Sequence, residues 1–133
     1  MDKKGVIGAK IDIYTDASNF AMGIKIESEI MEINIPFKEN NSLSNMPIHL
    51  KEAHAVWYVV HYFGKKFKNR KIQFLNDNMA VVSTFEHGCS DPRLSEYIRK
   101  IHEEAHNYNI ALAMEWDGGL TRLGYWEFHR EWT

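Results

Sequence analysis

Three acidic residues in this 133-residue chain sit where carboxylates can do chemistry. Asp16 closes the alternating run Lys10-Ile11-Asp12-Ile13-Tyr14-Thr15-Asp16, just before the turn Ala17-Ser18-Asn19. Glu52 falls in the opening turns of an apolar stretch with helical spacing that starts at Pro47. Asp77 follows the short apolar run Lys71–Asn76 and precedes a second helical stretch. Each has an ordinary structural role available: Asp16 as a turn former, Glu52 as a charge favoured near a helix N-terminus, Asp77 as a helix cap. Their chemistry lies in combination. If the first and fourth strands are neighbours and the first helix packs across them, the three side chains converge. Like charges held that close repel and shift one another's pKa values, so the cluster calls for a cation. An all-oxygen ligand set suits Mg²⁺ or Mn²⁺ rather than zinc, and a single cysteine leaves no cysteine pair of a zinc finger.

The elements that would position these carboxylates are legible in the periodicity. The run 10–16 alternates as a strand does, with Ile11, Ile13 and Thr15 on one face and Asp12, Tyr14 and Asp16 on the other. Two more alternating runs, 21–27 and 30–37, complete an antiparallel meander, and the polar stretch 38–46 reads as a loop. Pro47 and Gly64 bracket a helix whose apolar stripe is Leu50, Ala53, Trp57 and Val60, with Val56, Val59 and Phe63 beside it. Lys71–Asn76 is a short strand, and a short helix follows over 79–86 and stops at Gly88. Ser90-Asp91-Pro92 caps a longer helix carrying Leu94, Tyr97, Ile98, Ile101, Ala105 and Tyr108. Ile110, Leu112, Met114 and Trp116 alternate as a fifth strand, and the tail 120–133 reads as a closing helix. The expected order is β-β-β-α-β-α-α-β with that closing helix, as one domain over 1–133. The aromatics Trp57, Tyr58, Tyr62 and Trp116 are expected in the core rather than at a stacking surface.

Composition fits this reading. An apolar share of 44% and an aromatic share of 13% belong to a folded domain rather than a disordered one. No apolar run approaches the roughly 18 residues of a membrane span, so no membrane partner is expected. The single cysteine, Cys89, makes no internal disulfide and points to a reducing, intracellular compartment, cytoplasmic or nuclear. A net charge of −2 does not advertise nucleic-acid binding. The stretch Gly64-Lys65-Lys66-Phe67-Lys68-Asn69-Arg70-Lys71 is nevertheless densely cationic. Lys65, Lys66 and Lys68 are candidates for phosphate contacts, against the alternative of a solvated helix end.

Tyr14-Thr15-Asp16-Ala17-Ser18-Asn19 with Gly23, then His49-Leu50-Lys51-Glu52-Ala53-His54-Ala55, then Asn76-Asp77-Asn78, resembles the ribonuclease H domain of retroelement (LTR or DIRS-type) reverse transcriptases. Gly88-Cys89-Ser90 and Glu115-Trp116 extend the likeness, which covers about residues 10–117. The resemblance implies an α/β ribonuclease H-like fold, a mixed five-stranded sheet in order 3-2-1-4-5 flanked by helices. It implies a metal-dependent endonuclease that hydrolyses the RNA strand of RNA–DNA hybrids with two Mg²⁺ or Mn²⁺ ions. It further implies that Asp16 bridges the two ions, that Glu52 meets the ion nearer the leaving group, and that Asp77 meets the ion holding the attacking water. Asn78 is implied as a contact to the RNA 2′-hydroxyl, and Ser18 is a further candidate for nucleic-acid contact. The polymerase part of a reverse transcriptase is the implied protein partner.

The likeness breaks at the fourth carboxylate, usually carried as Ala-Asp at the start of the last helix. No Ala-Asp occurs after the fifth strand here. Glu127 lies near the expected distance, Asp117 earlier at the strand end, and Glu131 later; Glu127 is preferred over Asp117. His129 is the only histidine in the tail, where packing beside tryptophans is its ordinary role. A DnaQ-like exonuclease is disfavoured, because it wants Asp-x-Glu where this chain has Asp16-Ala17-Ser18. The alternative from another class is a catalytically degenerate domain that serves as a structural or nucleic-acid-binding module. Binding of two cations separates the enzyme from that scaffold.

Overall fold

The computed structural model describes residues 10–29, 31–37, 42–88 and 91–117. Along them run β1 (Ile11–Ala17), β2 (Ala21–Ile26), β3 (Met31–Pro36), α1 (Ile48–Phe63), β4 (Lys71–Asn76), α2 (Met79–His87), α3 (Pro92–Asn107) and β5 (Ala111–Trp116). A short 3₁₀ turn at Glu27–Glu29 takes up the last residue of the alternating run 21–27, and another at Ser42–Asn45 lies in the polar stretch read as a loop. The tail expected to form a closing helix, with Glu127, His129 and Glu131, lies outside the described residues, as does Cys89. No helix among the described residues is long and apolar enough to cross a membrane.

The sheet has the order β3-β2-β1-β4-β5. β1 pairs antiparallel with β2 and parallel with β4, so the carboxyl ends of β1 and β4 lie side by side. That adjacency is what the site requires, since ligand groups in open α/β sheets gather at the carboxyl edge. Ile11 and Ile13 of β1, Ile24 and Ile26 of β2, and Ile72 and Phe74 of β4 share one core with Leu50, Ala53, Val56, Val59 and Val60 of α1. Leu94, Ile98, Ile101 and Ala105 of α3 close it from outside. Each buried Val, Leu, Ile or Phe among them contributes about 1.5–3 kcal/mol of transfer free energy. α1 is thereby pinned across β1 and β2.

Local chemistry ends the elements where it should. Asn78 caps α2 by accepting from the Val81 N–H, and Asp91 caps α3 by accepting from Arg93 and Leu94, with Pro92 just inside. His49 Nε2 meets Asp91 Oδ2 at 2.9 Å and ties the start of α1 to that cap. Gly88 ends α2 with φ at +77°, a conformation that favours glycine.

Gly64 stands at the end of α1, as expected, with an ordinary helical φ of −58°. It is glycine because a Cβ there would lie 2.3 Å from the Tyr108 ring and 2.4 Å from the Val60 carbonyl oxygen. Among the described residues the non-glycine positions with positive φ are Asn69 and Asn109 (φ 65° and 53°), and the Asn109 amide donates to Asn69 Oδ1 at 3.0 Å. Tyr62 and Trp116 are not core residues, being 61% and 51% exposed. Both sit where their element outruns the layer that would cover them: Tyr62 on the outer face near the end of α1, Trp116 at the last residue of edge strand β5. The close approach at Gly64 yields a test. Gly64→Ala is expected to destabilise the fold by about 1–3 kcal/mol, read as a lower urea midpoint with an unchanged m-value.

Candidate metal centre

β1 delivers Asp16 to the carboxyl edge, where it pairs in register with Gly23 of β2. Paired residues share a sheet face, so this neighbour places no side chain beside the carboxylate. Asp16 is 1% exposed and its Oδ1 accepts the Ala17 N–H at 2.8 Å. α1 delivers Glu52, 3% exposed, from its second turn. Asp77, half-buried, follows the last residue of β4. One carboxylate oxygen from each lies within 4.8 Å of the others. The connections that hold this arrangement are buried too. The Asn76 amide donates to the Thr15 carbonyl (3.2 Å) and hydroxyl (3.0 Å), and its Oδ1 accepts the Asn78 N–H at 2.8 Å.

Electrostatics follow from crowding and dehydration. Burial, then the charge of Asp77, pushes the Asp16 pKa from 3.8 to about 8, against the lowering effect of the Ala17 N–H. Burial, then the charges of Asp16 and Asp77, raises Glu52 well above the ordinary carboxylate range. Glu52 Oε1 is buried with no hydrogen-bond partner among the described residues. A buried, unsatisfied oxygen beside two further carboxylates, with no nitrogen or sulfur donor in the group, fits a hard divalent cation. Without a cation, burial and the neighbouring charges favour the protonated forms of Asp16 and Glu52.

The other expected site residues fall in several places. Asn78 lies beside Asp77, and its side-chain oxygen accepts the Val81 N–H in capping α2. The Ser18 hydroxyl shapes the β1–β2 turn, accepting from Phe20 and Ala21 at 3.1 Å each. Asp117 is buried and its N–H donates to the Asn76 carbonyl at 2.8 Å, but it is not in the three-carboxylate group. Glu127 lies outside the described residues. Lys65, Lys66 and Lys68 are exposed in the turn before β4, at the opposite end of that strand from Asp77. Six residues of strand put roughly 20 Å between them. Lys66 is also paired with Glu29 at 2.7 Å.

Two residues gained importance that periodicity did not signal. Lys51, buried, donates to the Asn19 carbonyl at 2.9 Å and lies over the Phe37 ring, tying the β1–β2 turn to α1. Asn76 reads in the sequence as a strand end; two of its three side-chain bonds go to Thr15 and so depend on which strand lies beside β4. Trp116, expected in the core, instead leans on the site, donating from Nε1 to the Asp77 carbonyl at 3.3 Å.

The raised carboxylates set a pH dependence. An acid whose folded pKa exceeds its unfolded value binds more protons when folded, so stability falls as pH rises between the two. For Asp16 that window runs from 3.8 to about 8. His54, whose pKa burial lowers from 6.5, acts in the opposite sense below that value, so pH 7 to 8 isolates the carboxylates. Metal-free protein is expected to lose thermal stability across pH 7–8, by at most about 1.4 kcal/mol per pH unit and group. Glu52→Gln should flatten that loss and raise the Tm at pH 8, while Mn²⁺ should stabilise the parent more at pH 8 than at pH 6. Thermal melts with and without chelator check all three.

No protein-family model matches the chain, and no curated protein sequence does. Solved structures do match its fold. Ribonuclease H1 from the archaeon Halobacterium salinarum superposes with a TM-score of 0.66 at 16% identity, over 85% of this chain and 89% of that one. LC11-RNase H1 in complex with an RNA/DNA hybrid gives 0.63 at 19% identity, over 80% and 84%. The N-terminal ribonuclease H domain of a Mycobacterium tuberculosis protein gives 0.63 at 14% identity, over 89% and 88%. With the strand order 3-2-1-4-5, these likenesses establish the ribonuclease H fold for this chain.

Proposed function

We propose that this protein is a divalent-metal-dependent endonuclease that hydrolyses the RNA strand of RNA–DNA hybrids. The observation that carries the reading is the convergence of Asp16, Glu52 and Asp77 within 4.8 Å at the carboxyl edge of a ribonuclease H-type sheet. A structural neighbour of the same fold has been solved with an RNA/DNA hybrid, which supports that substrate. The motifs around Asp16, Glu52 and Asp77 further support the ribonuclease H domain of a retroelement reverse transcriptase, with its polymerase part as partner. An open reading frame that continues upstream into a polymerase domain would establish that context.

Asp16, Glu52 and Asp77 would hold the cations, Mg²⁺ or Mn²⁺, two in number. When bound, such ions activate a water and stabilise the departing 3′ oxygen of an in-line displacement. The chain's own groups do the rest. The core under β1, β4 and α1 holds the elements that carry the carboxylates before substrate arrives, which lowers the reorganisation the reaction requires. Asn78, adjacent to Asp77, is the candidate for the RNA 2′-hydroxyl, the group that separates RNA from DNA. Ser18 keeps the adjoining β1–β2 turn in shape.

The deciding assay is cleavage of a labelled hybrid with Mg²⁺ and with Mn²⁺. RNA-strand cleavage supports the enzyme; an intact hybrid together with no heat of Mn²⁺ binding supports a non-cutting scaffold. Asp77→Asn is expected to retain the fold and lose more than about 100-fold in rate, beyond the 10–100-fold typical of outer-shell partners. Parent-like cleavage by that variant rules Asp77 out as a ligand.

Lys65, Lys66 and Lys68 are proposed to meet phosphates of a hybrid lying along the sheet's length rather than at the reacting bond. Neutralising all three should weaken hybrid binding and flatten its log–log salt slope by up to about 0.9 per lost contact, leaving kcat unchanged. An unaltered slope returns them to the solvated surface.

A further inference from the structure

The backbone ladder between β1 and β4 joins Ile11 to Ile72, Asp12 to Gln73, Ile13 to Phe74 and Tyr14 to Leu75, and there it stops. The next residues, Thr15 and Asn76, are joined by a side chain instead. The Asn76 amide nitrogen reaches the Thr15 carbonyl at 3.2 Å and the Thr15 hydroxyl at 3.0 Å. Its amide oxygen takes the Asn78 N–H at 2.8 Å. Its own backbone carbonyl takes the Asp117 N–H at 2.8 Å. The side chain is 1% exposed, so none of these groups has water as a substitute partner.

The positions joined are the residue before Asp16 and the residue after Asp77. Beyond the end of the ladder no β1–β4 backbone pairing fixes the gap between these two carboxylates, and when both are ionised their repulsion acts to widen it. One planar amide spans that gap with both of its ends used.

We infer that Asn76 is the positioning residue that sets the separation of Asp16 and Asp77, and so the cation affinity of the site. It acts through Thr15 and Asn78 and touches no reacting atom. The inference rests on reading the three carboxylates as a metal centre.

The experiment is Mn²⁺ calorimetry on metal-free protein, without substrate, for the parent, Asn76→Leu and Thr15→Val. Circular dichroism and a melt establish the folded fraction of each. Asn76→Leu is close in size but makes none of the amide's bonds, and Mn²⁺ affinity per folded molecule is expected to fall about 10–100-fold. Thr15→Val keeps the fold's shape and removes one of the two acceptors, and should cost about 2–10-fold. Hybrid KM should change little, with kcat recovering as Mn²⁺ is raised. A merely structural role would lower the Tm and leave affinity per folded molecule untouched, and that result overturns the inference. Should Asn76→Leu not fold, Thr15→Val decides alone, and parent-like affinity in it overturns the inference. A parent that binds no Mn²⁺ at all is a separate outcome: it removes the metal-centre reading and the inference with it.

Discussion

Three carboxylates whose oxygens lie within 4.8 Å, two of them almost fully dehydrated, are an arrangement a protein adopts only when its scaffold holds it. At an effective dielectric near 20, each pair of full charges at that range repels by roughly 3–4 kcal/mol. That is a sizeable part of a domain's typical stability of about 5–15 kcal/mol. The rest of the structure can be understood as what supplies and braces this cluster. In the absence of metal, burial first and the neighbouring charges second raise Asp16 and Glu52, and protonation relieves the repulsion. A divalent cation relieves it while keeping the charges ionised.

The bracing comes from elements that cannot drift. Parallel pairing of β1 with β4 brings two carboxyl ends to one edge, and α1 lies across β1 and β2 on a core of Ile13, Ile24, Val56 and Val60 with no exposed surface. Glu52 therefore approaches the strand ends from a helix that is itself immobilised by packing. Hydrogen bonds add what the core does not reach. Lys51 holds the β1–β2 turn to α1, His49 and Asp91 hold α1 to the cap of α3, and Trp116 holds the end of β5 to the backbone of Asp77. Each of these links joins residues far apart in sequence but close to the same edge.

Strong periodicity made most of the fold legible. Ile11 and Ile13, or Leu94, Ile98, Ile101 and Ala105, repeat at the period of their element and are buried, because a sheet face or a helix stripe must be covered by something apolar. Where the same reasoning placed Tyr62 and Trp116 in the core it was wrong, since periodicity tells which way a side chain points but not how far the covering layer extends. Gly64 is legible in the sequence as the end of α1, but the lack of room against Tyr108 that requires glycine there shows only in the structure. Lys65, Lys66 and Lys68 stand next to β4 in sequence, yet strand length carries them away from Asp77.

From the sequence alone follow the element types, their order, and three carboxylates each at the end or start of an element. Those are local properties, set by the spacing of apolar residues and the chemistry of turns and caps. That the three meet was only conditional, because it required β1 and β4 to be neighbours and α1 to cross them, and pairing between distant strands leaves no local mark. The tertiary structure decided that adjacency, and with it the dehydration that raises Asp16 and Glu52. It also decided the partners of Asn76 and Lys51. An amide or an ammonium in a sequence shows only what it can bond; what it does bond depends on the backbone that folding places beside it.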